Sequence, residues 1–439
     1  MKHLAFEMKQ NLFRPGARAV YAQLLVNQKM DEGQLSALQI QKFDAIYQHA
    51  RSNIEFYRDK YSGLDLNCIR FAEDIERIPL LTRDEIRNHG KQILDIGQNR
   101  SFAKKVTTGG STGVPLEVYH DKRFPLEALG WRTLGWWGIH PGDNVAFIYR
   151  IQKRGWRWRF NQLLWFPTIR LFLDASLITD DSMSRFVESL AKHKPPILQG
   201  YVGGVIEFAK YCDERGIRFP FLKAVWVTSA PLGLSQRRFL ENVFKAPVYD
   251  QYGCSEIFWI AAECEFRDGL HILADSRYVE ILGDDSKPVE FGEHGDIVLT
   301  DLDNYIFPLI RYKTDDRGAL KPGNCQCGMR FPLMRNVQGR VSDTIKLPDG
   351  TSIAGEYLTT IFDDAPEHVR AFQLRQNSRY DLCLYCEANS DSQTLNVCEK
   401  KRQALEELTG GLITVNLEIV DSIKHDRGKT KFIISDVTD

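Results

Sequence analysis

Short apolar runs alternate with amphipathic stretches through the middle of this chain, and this order is the strongest constraint on its fold. Residues Val145–Tyr149, Ala224–Thr228 and 297–300 have the composition of buried strands. Between them, residues 182–194 and Leu234–Phe244 have apolar side chains at helical spacing. Strands and helices that alternate along a chain form a sheet covered by helices. The predicted fold class is therefore α/β.

The length of 439 residues is too great for one hydrophobic core, because single cores stop growing at about 250–300 residues. Beyond Gly339 and Arg340 the pattern becomes that of a small α+β domain. We predict an N-terminal domain at 1–339 and a C-terminal domain at 340–439. The elements predicted in the second domain are a hairpin turn at 347–351, a helix at 356–362, and strands at 380–386, 413–420 and 432–435.

Helical signals also precede the first strands. Residues 34–60 have apolar side chains at near-helical spacing and predict one helix. Thr82 is followed three residues later by Glu85, which is the signature of a capping box. A second helix is therefore expected to begin directly after Thr82.

Composition excludes several classes of function. The net charge of −1 gives no overall field that would attract nucleic acid. No run approaches the ~18 apolar residues that a membrane span needs, and the first residues do not have the pattern of a signal peptide. Nine cysteines are too few and too scattered for a disulfide framework, so we predict a cytoplasmic protein with reduced thiols, as a monomer or homodimer.

Residues 107–115 combine three glycines and four hydroxyl side chains in one short loop. Glycines allow a sharp turn and a close approach to a ligand, while exposed amides and hydroxyls bind anions. The loop has the chemistry of a phosphate site, although it lacks the lysine of the common P-loop. The alternative is an ordinary polar turn. The residues assigned to phosphate binding are Thr107, Thr108, Gly109, Gly110, Ser111, Thr112 and Gly113.

Four further motifs follow this loop in order. They are Tyr-Gly-Cys-Ser-Glu at 252–256, Arg-Tyr-Lys-Thr-Asp-Asp at 311–316, Gly-Arg-Val-Ser-Asp at 339–343, and Gly-Lys-Thr-Lys at 428–431. The ordered set resembles the adenylate-forming superfamily of acyl-CoA synthetases and peptide-synthetase adenylation domains. It is most similar to the branch of phenylacetate-CoA ligases and capsular polysaccharide biosynthesis proteins. That resemblance implies a large N-terminal α/β domain and a small C-terminal α+β domain that swivels.

The resemblance also assigns the nucleotide site. It places Tyr252 beside adenine, with Gly253, Cys254 and Ser255 in the same motif, and gives Glu256 to Mg²⁺. The adenine-side loop is similar to Ser229, Ala230 and Pro231.

The ribose-binding acid of the family falls on Asp316, and Asp315 replaces the usual preceding glycine. An aspartate suits a vicinal diol because it can accept two hydrogen bonds. The second carboxylate leaves open which acid binds ribose.

Two basic residues complete the implied site. Arg340 matches the hinge arginine, and the hinge acid falls on Ser342 or Asp343. Lys429 matches the catalytic lysine of the mobile domain. Independently of the resemblance, a carboxylate attacks an anionic α-phosphate poorly unless cations and donors neutralise the developing charge. By itself, a Gly-Lys near the C-terminus is more often a solvated turn.

A second set of candidate functional residues could bind a metal ion and consists of Cys264, His271, Cys325 and Cys327. Three thiolates and one imidazole form a tetrahedral zinc set. The spacing is not that of a standard zinc finger, so the alternative is unrelated buried thiols and a surface histidine.

Residues 154–160 mix arginines with aromatic side chains. A surface segment with solvated arginines, an anionic acceptor site, a peripheral membrane contact and a single-stranded nucleic-acid site all fit this composition. Trp136, Trp137 and Tyr201 line an acid pocket or fill the core.

The expected function is ATP-dependent activation of a carboxylic acid as an acyl-adenylate with release of pyrophosphate. The acyl group then passes to an acceptor, which is CoA or an amine or hydroxyl of a sugar in polysaccharide biosynthesis. The implied cofactors are ATP, Mg²⁺ and a structural Zn²⁺. The alternative is a nucleotide-binding protein that shares the fold without catalysis.

Overall fold

The computed structural model describes residues 1–95, 97, 100–107, 116–149, 165–175, 179–337, 344–349, 352–354, 358, 361–362, 365, 367–423 and 432–437. Its helices are α1 (Lys2–Phe13), α2 (Pro15–Asn27), α3 (Glu32–Asn53), α4 (Glu55–Lys60), α5 (Ala72–Glu76), α6 (Arg83–Ile93), α7 (Glu127–Trp136), α8 (Asp180–His193), α9 (Val202–Glu214), α10 (Leu234–Phe244) and α11 (Ser392–Leu408), with a 3₁₀ turn at Arg100–Phe102.

The described strands comprise an early hairpin, a central parallel series, antiparallel strands before residue 340, and an antiparallel hairpin and a mixed sheet after it. In chain order they are β1 (Ala103–Thr107), β2 (Glu117–Asp121), β3 (Val145–Tyr149), β4 (Arg170–Asp174), β5 (Ile197–Tyr201), β6 (Ala224–Thr228), β7 (Val248–Tyr252), β8 (Ala261–Glu263), β9 (Leu270–Ile272), β10 (Arg277–Leu282), β11 (Gly295–Asp301), β12 (Tyr312–Gly318), β13 (Leu320–Lys321), β14 (Leu333–Met334), β15 (Thr344–Lys346), β16 (Ser352–Ala354), β17 (Val369–Gln376), β18 (Leu382–Ala388), β19 (Val415–Val420) and β20 (Ile433–Ser435).

The chain divides into two compact units, of which the first comprises Met1, His3–Pro141 and Gln251–Asn336. In this unit β1 and β2 form an antiparallel hairpin, and β10, β11 and β12 form an antiparallel sheet. The end of β7 pairs with β8, which continues through β9 and β14 to β13 in antiparallel order. Four of the predicted site residues lie on strands of this unit, namely Thr107, Tyr252, His271 and Asp316.

The second unit comprises Lys2, Gly142–Asp250 and Val337–Asp439. Here β3 pairs in parallel with β4 and with β5, and β5 pairs in parallel with β6. The core consists of buried side chains from these strands and from α8, α9 and α10. This arrangement confirms the predicted α/β class, because the strands are apolar on both faces where helices cover them.

The C-terminal part of the second unit has its own four-stranded sheet in the order β19-β18-β17-β20, with α11 packed against it. The predicted strands at 380–386, 413–420 and 432–435 correspond to β18, β19 and β20. The turn predicted at 347–351 joins β15 to β16, which pair antiparallel. Most of the helix predicted at 356–362, and the domain boundary predicted at 339/340, lie outside the described residues.

The single helix predicted for residues 34–60 is wrong in one respect, because the structure has two helices there. The break lies at Ile54, whose backbone is extended (φ −113°, ψ 120°) and whose side chain is buried. The capping box at Thr82 and Glu85 is confirmed. Among the described helices, none combines the length and the apolar composition needed to span a bilayer.

Candidate active site

Two tyrosine–carboxylate pairs join the end of β7 to strand β12. The hydroxyl of Tyr252 donates to Oδ2 of Asp316 at 2.9 Å. The hydroxyl of Tyr312 donates to Oε1 of Glu256 at 3.3 Å. The two partners of each pair are about 60 residues apart in the sequence, and both pairs lie in one cluster. Within this cluster Glu256 is only 6% exposed.

Burial keeps both tyrosines protonated. It raises the pKa of Tyr252 well above its ordinary value, and the neighbouring Asp316 carboxylate raises it further. The pKa of Tyr312 is raised in the same way, first by burial and then by Glu256. Each phenol therefore remains a hydrogen-bond donor to its carboxylate at any physiological pH.

The chain that precedes α6 is attached along strand β12. The amide of Leu81 donates to the carbonyl of Arg311 at 2.8 Å, and the amide of Lys313 donates to the carbonyl of Leu81 at 2.9 Å. The backbone then enters α6 at Thr82, whose hydroxyl accepts from the Glu85 amide. This attachment fixes where the first side chain of α6 points.

That side chain is Arg83, which bridges two carboxylates of the cluster. Its Nη1 lies 2.8 Å from Oδ2 of Asp315 and 3.7 Å from Oε1 of Glu256. The described charged groups of the cluster are thus one guanidinium and three carboxylates, counting Asp316. Glu256 is buried, whereas the Asp315 side chain is 43% exposed. Three carboxylates beside one guanidinium offer oxygen ligands that suit a divalent cation.

Arg311, the residue before β12, is buried and bonds to groups of neighbouring segments. Its backbone has φ +48°, and its guanidinium makes two hydrogen bonds to Glu280 at 2.8 and 3.1 Å. It also donates to the carbonyls of Glu76 and Ile78. A left-handed non-glycine residue is costly, so the network of bonds around Arg311 maintains a strained backbone beside the cluster.

His120 on β2 connects the glycine loop's hairpin to the motif at 252–256. Its Nε2 donates to the carbonyl of Ser255 at 2.9 Å, and its ring stacks on Phe258 with 4.8 Å between centroids. Burial lowers the pKa of His120, which keeps the ring neutral. Thr107 pairs with Glu117 across the same hairpin, three residues along β2 from His120.

The turn after Tyr252 requires its glycine. A Cβ at Gly253 would lie 2.8 Å from Nε2 of Gln251 and 3.2 Å from the Trp259 amide. The Cys254 amide donates to the carbonyl of Ile257 at 3.1 Å, which closes the turn around Ser255. Close packing here positions Glu256 on a rigid backbone.

Ser229, Ala230 and Pro231 lie in the second unit, directly after β6. Ser229 has φ +79°, a strained value for a residue with a side chain. Strain at the carboxyl end of a parallel strand is typical of ligand-binding loops.

Several predicted site residues lie outside the described part of the chain. These are Thr108, Gly109, Gly110, Ser111, Thr112, Gly113, Arg340 and Lys429, together with the hinge candidates Ser342 and Asp343 and the segment at 154–160; the side chain of Thr107 is likewise not described.

The four predicted zinc ligands meet in the first unit, with their donor atoms all within 4.8 Å of one another. Sγ of Cys264 and Sγ of Cys325 are 3.5 Å apart, and Sγ of Cys327 is 3.3 Å from Nε2 of His271. The edge of a tetrahedron around zinc is about 3.8 Å for thiolates. Nδ1 of His271 contacts the carbonyl of Phe331 at 3.3 Å, which leaves Nε2 available as a ligand.

Of the three aromatic residues considered for an acid pocket, Trp137 is buried, while Trp136 and Tyr201 are half-buried and pack against the core. Trp137 donates from Nε1 to the carbonyl of Glu263 at 2.8 Å. Trp136 contacts the His271 ring edge-to-face, and Tyr201 contacts Tyr149 in the same way. Tyr201 ends β5, at the carboxyl edge of the parallel strands.

Known proteins resemble this chain over most of its length. Protein CapK of Staphylococcus aureus is 24% identical over 424 residues, covering 92% of this chain and 90% of CapK. Phenylacetate-coenzyme A ligase of Escherichia coli (strain K12) is 25% identical over 442 residues, covering 92% and 97%. The CapK C-terminal domain family matches residues 345–436. The chain is thus similar, over most of its length, to CapK and to the phenylacetate-CoA ligases of the adenylate-forming superfamily.

A solved structure of this superfamily has the same fold. It is a 2-hydroxyisobutyryl-CoA ligase in the postadenylation state in complex with 2-HIB-AMP, which is 20% identical with a TM-score of 0.77. The alignment covers 93% of this chain and 91% of that ligase.

Arg83 and His120 are candidate site residues that the sequence analysis does not predict. The capping box at Thr82 predicts the helix that begins at Arg83. It gives no indication of which carboxylates the Arg83 side chain contacts. For His120 the sequence contains no comparable signal, because its partner Ser255 is 135 residues away.

Proposed function

We propose that this chain is an AMP-forming carboxylate ligase. It activates a carboxylic acid with ATP as an acyl-adenylate, releases pyrophosphate, and passes the acyl group to an acceptor. The observation that carries the proposal is the cluster of Tyr252, Glu256, Asp315 and Asp316 with Arg83. The relatives include phenylacetate-CoA ligases, and the cluster falls on the motifs that the chain shares with their superfamily.

The cluster fits the reactants. In the proposed complex Tyr252 lies against adenine and Asp316 accepts hydrogen bonds from the ribose hydroxyls. Glu256 is the magnesium ligand, and a divalent cation bound there would neutralise both the excess carboxylate charge and the phosphates. Lys429 stabilises charge that develops on the α-phosphate and pyrophosphate during adenylation.

The acceptor and the domain motion belong to the same proposal. CoA fits because relatives are named as CoA ligases, and a sugar amine or hydroxyl is the second candidate because CapK is among the relatives. We propose that the domain at 340–439 swivels about Arg340 and Ser342 or Asp343, so that Lys429 leaves before the acceptor enters. We propose a cytoplasmic location, because nine scattered cysteines suit a compartment in which thiols stay reduced.

The deciding experiment measures ATP-dependent pyrophosphate release from purified protein across a panel of aromatic, aliphatic and hydroxy acids. Release with at least one acid, and with none in the absence of acid, is the expected result. Product analysis with CoA and with amino sugars then separates the acceptors. ATP binding without pyrophosphate release for any acid would indicate the non-catalytic alternative.

The two adjacent aspartates are expected to act on different kinetic constants. Asp316→Ala removes the proposed ribose contact and should raise the KM for ATP by about 10- to 100-fold, since hydrogen bonds to charged groups contribute about 1.5–3 kcal/mol. Asp315→Ala releases Arg83 and should act mainly on kcat. Steady-state kinetics of both variants checks this, and a larger ATP KM effect at Asp315 would move the ribose contact to that residue.

We also propose a structural zinc ion held by Cys264, His271, Cys325 and Cys327. The donor set and separations suit tetrahedral Zn²⁺, and four protein ligands leave no open position for catalysis. The ion would tie the β8–β9 hairpin to the loop before β14, and so brace the strands beside the candidate active site.

Zinc is expected at about one atom per chain in protein purified without chelators. Cys325→Ser should lose most of the metal and lower Tm by roughly 5 °C or more, because metal that binds only the folded state stabilises it. Cys68→Ser, at a thiol outside the cluster, is the matched control and should keep the metal content and the Tm of the parent protein. Elemental analysis that finds no metal in the parent protein would remove the zinc assignment.

A further inference from the structure

A buried ion pair in the second unit joins the two parts of the chain that the predicted domain boundary separates. Nζ of Lys210, on α9, lies 2.5 Å from Oε2 of Glu387, on β18. The exposed fractions are 8% for Lys210 and 1% for Glu387. Isolated buried charges are strongly unfavourable, so the carboxylate of Glu387 is stabilised in this arrangement by the ammonium of Lys210.

The same carboxylate oxygen has a second ligand from the backbone. The amide of Ile423 donates to Oε2 of Glu387 at 3.0 Å. Ile423 is the last described residue before the segment that contains Lys429, six positions later in the sequence. Glu387 therefore fixes the point from which the chain proceeds to the proposed catalytic lysine.

The contacts around the pair also allow it to separate. Nζ of Lys210 lies 3.0 Å from Oε1 of Glu207, one turn earlier on the same helix, so the ammonium keeps a carboxylate partner if Glu387 leaves. The other oxygen of Glu387, Oε1, is buried without a hydrogen-bond partner among the described residues. A partly satisfied buried carboxylate is held less firmly than a fully satisfied one.

We infer that Lys210, Glu387 and the Ile423 amide form a latch that holds the C-terminal part in place for the adenylation step. Lys210 is thus a positioning residue for Lys429, although it lies on the other side of the predicted domain boundary. The inference rests on the proposed function, in which Lys429 must be presented for adenylation and withdrawn for transfer. Opening the latch leaves Glu207 as the carboxylate partner of Lys210 and gives Glu387 access to water.

The latch predicts which kinetic constant changes when it is broken. ATP and the acid bind to the N-terminal part, so their affinities do not depend on Lys210. Lys429 acts on charge that develops in the transition state, so its misplacement lowers kcat. Lys210→Met should therefore reduce kcat for acid-dependent pyrophosphate release by about 10- to 100-fold, the usual effect of a small misplacement. The KM for ATP should stay within about twofold.

Two variants serve as controls for this experiment. Lys210→Arg keeps the charge and should recover most of the rate. Arg238→Met removes the ion pair between Arg238 and Glu367, which joins the same two parts of the chain at 3.3 Å but is exposed on both sides. Exposed pairs contribute little, so this variant should match the parent protein.

A second measurement does not depend on activity. Hydrogen–deuterium exchange of the full chain should show faster exchange in peptides covering 382–388 and 415–423 in Lys210→Met, with no change in Arg238→Met. If Lys210→Met folds poorly, Lys210→Met/Glu387→Leu removes both charges and should fold with the same loss of kcat, because the ion pair is absent and Ile423 also loses its acceptor.

The outcomes separate the latch from the proposed function. If the parent protein releases no pyrophosphate with any acid, the proposed function fails, while the exchange experiment still reports on the latch. Lower stability of Lys210→Met, with kcat per folded molecule unchanged, would make the pair purely structural and overturn the latch. Unchanged exchange in both peptides would overturn it as well.

Discussion

Replacing Lys429 by alanine is expected to reduce acid-dependent pyrophosphate release by about 10²- to 10³-fold, the usual effect of losing one donor to developing charge. The lysine is proposed to act on the transition state, so the affinity for ATP and the stability of the fold should remain nearly unchanged. Single-turnover formation of the acyl-adenylate, measured with the acid identified by the panel, reports this step directly.

Lys431→Ala is the matched control, because it removes the same charge two residues later in the same segment. It should retain most of the adenylation rate. Acyl transfer from preformed acyl-adenylate should also survive in Lys429→Ala, since the lysine has left by then. A Lys429→Ala protein with near-parental adenylation would assign the role to another cation.

The strands and helices of the central region could be predicted because their patterns are local. The helix Leu234–Phe244 and the strands Val145–Tyr149 and Ala224–Thr228 have the predicted bounds. The break at Ile54 could not be found in this way, because the apolar spacing continues across it while the backbone becomes extended to bury that side chain. Strand β17 was not predicted, since six of its eight residues are buried and no alternation marks its faces.

The residues of the candidate site likewise include some that sequence motifs predict and some that they do not. Tyr252, Glu256 and Asp316 occur in motifs whose order is informative, and the structure brings them into one cluster. The contribution of Arg83 depends on a segment attached to β12 through Leu81, and its partners are 173 and 232 residues away. Such contacts depend on tertiary structure, so no characteristic spacing in the sequence predicts them.

The other large effect is expected at Glu256. Glu256→Gln keeps the size of the side chain and its hydrogen bond from Tyr312, but removes the charge proposed to bind Mg²⁺. The kcat for pyrophosphate release should fall by about 10²- to 10³-fold, and half-maximal activity should require more Mg²⁺. Titration of activity with Mg²⁺ at saturating ATP measures both effects.

Tyr312→Phe separates the charge of Glu256 from its orientation. This variant removes only the 3.3 Å hydrogen bond to Oε1 and should cost about threefold to tenfold in kcat, the range of one ordinary hydrogen bond. Arg83 would still lie beside Glu256, so the Mg²⁺ requirement should be close to that of the parent protein. If Glu256→Gln and Tyr312→Phe show equal losses and the same Mg²⁺ dependence, Glu256 acts by packing within the cluster, and the metal ligand must be Asp315 or Asp316.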